Sequence, residues 1–92
     1  MNERSKVMLI TGAAGGIGRA TVKYFTNKGW HVIGVDRNDF NEEYPGSGLY
    51  IKADISDPKA IEAIYEQAMK FSPVLDVVVN NAALQIAKPL IE

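Results

Sequence analysis

Four glycines crowd the stretch "TGAAGGIG" (residues 11–18), and three of them, Gly12, Gly16 and Gly18, stand at Gly-x-x-x-Gly-x-Gly spacing. Directly upstream lies the apolar run "VMLI", so a strand, a glycine turn and a helix N-terminus follow one another. The free N–H groups of a helix's first turn, aided by its dipole, make such a junction an anion site. Gly12 lets the chain turn sharply off the strand. Gly16, beside Gly15, lets backbone approach a pyrophosphate, and Gly18 lets the helix pack close to the strand. The stretch is not a P-loop, because Ile17 stands five residues after Gly12 and no lysine follows. A second signal is Asp36, 18 residues after Gly18. An acid at that distance can accept hydrogen bonds from ribose hydroxyls. Its charge opposes the extra phosphate of NADP, so NAD is the expected cofactor and NADP the lesser one. Arg37, next to it, is the feature that suits a 2′-phosphate.

Other chemistry is thinly represented. There is no cysteine, hence no disulfide framework, thiolate zinc site or cysteine nucleophile, and no metal site is expected. The single histidine, His31, opens a strand at the end away from the glycines and reads as a surface or packing residue. Glu42 and Glu43 lie in a polar stretch and read as solvated. The chain does contain Tyr-x-x-x-Lys, at Tyr24 and Lys28. Tyr24, six residues past Gly18, should sit ~9 Å further along the helix, away from the glycine turn. It reads as a core tyrosine with a lysine at the helix end. Net charge is -1 with both signs scattered, which gives no footprint for nucleic acid or an anionic membrane. No apolar run approaches the ~20 residues of a membrane span. The polar start "MNERSK" does not read as a signal peptide. A cytoplasmic setting is expected.

The elements that must position these residues alternate in type. Residues 6–11 ("KVMLIT"), 30–36 ("WHVIGVD"), 49–54 ("LYIKAD") and 75–80 ("LDVVVN") are near-continuous apolar runs, the pattern of strands buried on both faces. Between the first two, Ile17, Ala20, Thr21, Tyr24 and Phe25 recur at helical spacing and predict the inward stripe of a helix over 16–28, stopped by Gly29. Asp57 and Pro58 open a second helix ending at Phe71, with Ile61, Ile64, Tyr65, Ala68 and Met69 as its inward stripe. Residues 37–48 are polar and turn-rich, long enough for one helical turn at most, and residues 81–92 read as loop. The order implies an α/β, Rossmann-type doubly wound parallel sheet with strand order 3-2-1-4 and the two helices on opposite faces. The winding reverses between strands 1 and 4, where a crevice opens at the carboxyl ends. The glycine turn borders that crevice.

These motifs resemble those of the short-chain dehydrogenase/reductase family. "TGAAGGIG" is similar to its Thr-Gly-x-x-x-Gly-x-Gly turn, "ADISD" (residues 53–57) to the segment after strand 3, and "VNNAA" (residues 79–83) to its Asn-Asn-Ala-Gly. Ala83 departs from the usual glycine by one methyl group. The resemblance covers essentially the whole chain. It implies a cofactor site formed by Gly12, Gly15, Gly16, Ile17, Gly18, Asp36, Arg37, Asp54, Ile55, Asn81, Ala82 and Ala83. In it Asp54 faces the adenine, with Ile55 beside it. Asn80 ties strand 4 to its neighbours, and Asn81, Ala82 and Ala83 line the adenosine and ribose side. It also implies hydride transfer between nicotinamide and a small carbonyl or alcohol, and a homotetramer.

The resemblance further implies a serine that orients the substrate oxygen and, after a fifth strand, a Tyr-x-x-x-Lys whose tyrosine supplies the proton and whose lysine lowers the pKa of that tyrosine. No residue of 1–92 is expected to fill those roles. The chain is therefore expected to be the truncated, cofactor-binding portion of a longer enzyme, unstable and inactive by itself. A non-catalytic dinucleotide-binding or sensor protein is the alternative, separated from the first reading by whether that serine and Tyr-x-x-x-Lys follow. A methyltransferase using S-adenosylmethionine fits the glycine spacing and the "NNAA" segment poorly.

Overall fold

A computed structural model describes residues 5–82. The element order is β1 (Val7–Thr11), α1 (Gly16–Asn27), β2 (His31–Asp36), β3 (Leu49–Lys52), α2 (Pro58–Phe71) and β4 (Val77–Val79). All strands pair in parallel, in the order β3-β2-β1-β4. This is the doubly wound arrangement read from the sequence. Every residue of β1 is buried, as a central strand covered on both faces requires. The register brings Thr11 opposite Val35, Asp36 opposite Lys52 and Ile10 opposite Val79. The carboxyl ends of all four strands thus share one rim.

Side chains alternate across the sheet. Val7, Leu9, Ile33, Val35 and Ile51 pack on one face with Ile64 and Ala68 of α2. Met8, Ile10 and Val32 pack on the other with Val22 of α1. The two helices therefore lie on opposite faces, as right-handed crossovers in opposite directions demand.

Both helices end where local chemistry stops them. At the α1 terminus Gly29 N–H donates to Thr26 O and Trp30 N–H to Phe25 O, each at 3.0 Å. This paired closure places a glycine just past the helix. Asp57 caps α2, its Oδ1 accepting from Lys59 N–H at 3.0 Å, and Pro58 follows.

The structure corrects the predicted helix stripes. Ile17 and Tyr24 are 73% and 57% exposed. The buried face of α1 is instead Gly18 and Val22, with Phe25 packed beside them. On α2, Ile64 and Ala68 are buried, but Ile61 and Tyr65 face outward. Residues 37–48 form neither helix nor strand. They carry Phe40, 4% exposed, which meets Tyr44 and Tyr50 at ring separations of 4.9 and 5.4 Å. Tyr44 also donates its hydroxyl to Val32 O at 2.8 Å. An aromatic wall, not a helix, covers this part of the sheet. Among the described residues no helix is long and apolar enough to cross a membrane.

Candidate functional site

The glycine turn is built by close approach. Gly12 has φ +71°, a left-handed conformation that glycine adopts without penalty. A Cβ on Gly18 would lie 2.0 Å from Gly12 O, so α1 begins hard against the turn. Gly16 faces open space, with nothing within 4 Å of a Cβ there. Gly15 is the N-cap and contributes no side-chain cap to the first turn of α1. These two exposed glycines leave a backbone cradle at a helix N-terminus, which fits the pyrophosphate of a dinucleotide.

The end of β4 is lashed to this turn. Thr11 donates its hydroxyl to Asn80 Oδ1 (3.1 Å) and accepts from Ala82 N–H (3.0 Å). Asn81 Nδ2 donates to Gly12 O at 3.2 Å. Asn80 thus ties β4 to β1, while Asn81 spends its amide on the turn itself. Ala83 lies outside the described residues.

Asp36 is held at the tip of β2 from two sides. Its Oδ2 accepts from Ala14 N–H in the glycine turn (3.0 Å), and its Oδ1 from Asn38 N–H (2.9 Å). A carboxylate oxygen has two lone pairs, so each retains acceptor capacity for a ligand hydroxyl. Beside it, Gly12, Val35, Asp36, Arg37, Ala53, Asp54, Ile55, Ser56 and Ala82 line a cleft of about 200 Å³. That is below the ~300–1,000 Å³ of a whole-ligand pocket, so the cleft takes one part of a ligand. Val35, Ala53 and Ile55 give it apolar walls, and Asp54 is a polar one. Asp54 Oδ1 accepts from the Ser56 N–H (2.9 Å) and hydroxyl (2.7 Å). Those bonds, the backbone one foremost, hold the Asp54 carboxyl below its ordinary range.

Among the described residues, the expected site residues gather around the glycine turn and this cleft; Ile17 stands in the first turn of α1, but its side chain lies along the outer surface of the helix. Tyr24 and Lys28 are on that same outer face, the lysine Nζ 5.4 Å from the ring centroid. They lie apart from the cleft, on the surface and not in the core as expected. His31 sits at the far end of β2, where its Nδ1 meets Ser47 O at 2.6 Å, a carbonyl that can only accept.

The sequence reading missed three participants. Ser56 completes a local turn that an Asp-x-Ser pattern signals. Arg19 and Glu42 form a 2.6 Å ion pair beside the turn, and no periodicity could reveal a pair 23 residues apart. Glu42 is thus engaged, not merely solvated. Its carboxyl is held below the usual range, chiefly by the Arg19 bond and then by Lys23.

A sequence profile described as short chain dehydrogenase matches residues 6–92. A 3beta-hydroxysteroid dehydrogenase of Mediterraneibacter gnavus is 36% identical over 95 residues, covering 95% of this chain and 34% of that protein. Among solved structures, the ligand-free aldohexose dehydrogenase of Thermoplasma acidophilum is similar with a TM-score of 0.73 and 32% identity, over 84% of this chain and 29% of that one. A 3-ketoacyl-(acyl-carrier-protein) reductase from Brucella melitensis, complexed with NADH, gives a TM-score of 0.73 and 33% identity, over 79% and 32%. The chain spans well short of two thirds of the length of its curated relatives, from 14% of one to 53% of another.

Proposed function

This chain belongs to the short-chain dehydrogenase family, and from that premise we propose that residues 1–92 are the dinucleotide-binding part of an NAD-linked oxidoreductase acting on a small carbonyl or alcohol. The observation that carries the cofactor preference is Asp36, fixed by Ala14 and Asn38 with acceptor capacity to spare. When bound, the nicotinamide cofactor supplies the site that gives or takes the hydride. The residues of this chain bind and orient. The first turn of α1 and the glycine turn hold the pyrophosphate. Asp36 accepts from the adenosine ribose hydroxyls, and the cleft walled by Val35, Ala53 and Ile55, with Asp54 at its rim, receives the adenine. No residue of 1–92 is assigned to proton transfer, and the surface pair Tyr24 and Lys28 in particular is not.

The test is titration of the full-length natural protein with NADH and NADPH, followed by nucleotide fluorescence. NADH should bind more tightly. Asp36→Ala should weaken NADH by at least about tenfold, since hydrogen bonds to a charged acceptor are the stronger kind. It should also narrow the gap to NADPH. Tighter binding of NADPH by the unmutated protein would overturn the NAD preference.

A further inference from the structure

We propose that Glu42 is a specificity-determining residue that acts through Arg19, holding that cation away from the ribose end of the dinucleotide site. The inference rests on the dinucleotide reading above.

The argument begins at Ala14. Its N–H bonds Asp36, and its carbonyl accepts from Arg19 Nη2 at 3.0 Å. The guanidinium therefore sits on the other side of the same residue that fixes the ribose-binding carboxylate. Its Nη1 is drawn 2.6 Å from Glu42 Oε2, and its carbon lies 4.3 Å from the centroid of the Phe40 ring. The Arg19 side chain is 25% exposed, so it is partly sheathed as well as paired. Lys23, one helical turn on, leans on the same carboxylate at 3.2 Å. One acid from the β2–β3 connection thus engages two cations of α1.

The position matters because of what lies next to it. A polar hollow opens between the glycine turn and the tip of β2, lined by Ala14, Gly15, Asp36, Asn38, Asp39 and Asn41. A phosphate on the ribose hydroxyl that Asp36 accepts would enter this hollow. Asp36 and Asp39 already make it acidic, although Asp39 is engaged by Lys52 at 3.1 Å. Arg19, bonded to Ala14 of that lining, carries the fork geometry that phosphate favours. While Glu42 holds Nη1 and Ala14 O holds Nη2, the charge of Arg19 is compensated and its fork is turned to the protein. Without the carboxylate, the local balance moves by one positive charge and a long cationic side chain gains freedom to turn toward an anion. Glu42 touches no cofactor in this arrangement. It is a positioning residue.

The readout is the ratio of the NADPH to the NADH dissociation constant, measured by fluorescence on the full-length natural protein. Glu42→Gln keeps the side-chain volume and an acceptor while removing the charge. It should lower the ratio by about three- to tenfold at low salt, as one uncompensated charge at this range predicts, and by less at high salt. The double variant Arg19→Gln, Glu42→Gln should bring the ratio back to that of the unmutated protein. A purely structural role for Glu42 would weaken both nucleotides alike and leave the ratio fixed. An unchanged ratio in E42Q overturns the proposal. So does a lowered ratio that persists in the double variant, because Arg19 would not be the agent. If the unmutated protein favours NADPH, the NAD preference fails while the direction of the E42Q change still decides the role of Glu42. If it binds neither nucleotide, both readings fall.

Discussion

On the α1 face, Met8, Ile10 and Val32 are covered twice, by Val22 from the helix and by Phe40 from the β2–β3 connection. On the α2 face, Ile64 and Ala68 are the buried helix contacts, while Ile61, Tyr65 and Val78 are 51%, 60% and 61% exposed. An open apolar groove runs between α2 and β4, lined by Leu9, Ile55, Ile61, Ile64, Leu75 and Val78 among others. The same sheet is thus tightly finished on one side and thinly covered on the other. The finished side carries the glycine turn and the Arg19–Glu42 pair, while Val35, Ala53 and Ile55, the apolar walls of the cleft, belong to the thinly covered one. The twelve residues of the β2–β3 connection suffice for the second cover because Phe40 and Tyr44 place rings, not small side chains, over the sheet.

The largest effect that would sharpen this contrast is at the turn itself. Gly18→Ala puts a methyl 2.0 Å from Gly12 O and 2.8 Å from Gly12 C, both backbone atoms that cannot swing aside. It should destabilise the protein by about 3 kcal/mol or more and abolish NADH binding. Gly16→Ala meets nothing within 4 Å. Its stability should hold, since alanine suits a helix better than glycine, while NADH weakens about tenfold because the cradle is filled. Equal stability losses at both sites would break the assignment of contact to one glycine and access to the other. Next comes the comparison of the faces. Val22→Ala, at a site with 0% exposure, should cost about 2 kcal/mol from the urea midpoint. Ile61→Ser should stay within about 0.5 kcal/mol. A cost at Ile61 matching that at Val22, in the full-length natural protein, would mean that the groove is filled there and the contrast belongs only to residues 5–82.

The strand order was legible because continuous apolar runs joined by two helices and one long irregular connection leave few parallel topologies. Asp36 was legible from its distance to the glycines, and its grip on Asn38 follows the same local pattern as Asp54 with Ser56. The α1 stripe was misread for a definite reason. Residues 17, 20, 21, 24 and 25 and residues 18, 22 and 25 both satisfy helical spacing, and Phe25 is common to the two. Only the approach of Gly18 to Gly12 selects between them, and a glycine carries no hydropathy signal. The aromatic wall was hidden because Phe40 and Tyr44 lie among charged and turn residues with no repeating period. Arg19 and Glu42 were beyond reach, since their pairing is set by how the β2–β3 connection folds back over α1 and not by anything local.

The smallest effect concerns that wall and takes the form of a pH dependence. Burial pushes the Tyr44 hydroxyl well above the ordinary phenol range, and burial with nearby Asp36 and Asp39 raises Tyr50 to about 12. The unfolded chain releases these protons near pH 10. Above that pH the folded protein therefore holds protons that the unfolded chain has lost. Stability is fully present below pH 10 and falls as the pH climbs from there. Tyr44→Phe removes the proton and also the hydrogen bond to Val32 O, worth about 1 kcal/mol. The two consequences have opposite signs. At pH 8 the variant should melt below the unmutated protein, and the gap should close as the pH is raised towards 11. Tyr50→Phe should flatten the alkaline decline to a similar extent over this range, because pH 11 lies below the raised folded values of both hydroxyls. Thermal melts at half-unit steps from pH 8 to 11 would check this. Parallel curves for the unmutated protein and Tyr44→Phe would mean that the wall opens to water before the fold is lost, and that the second cover of the α1 face is weaker than its packing implies.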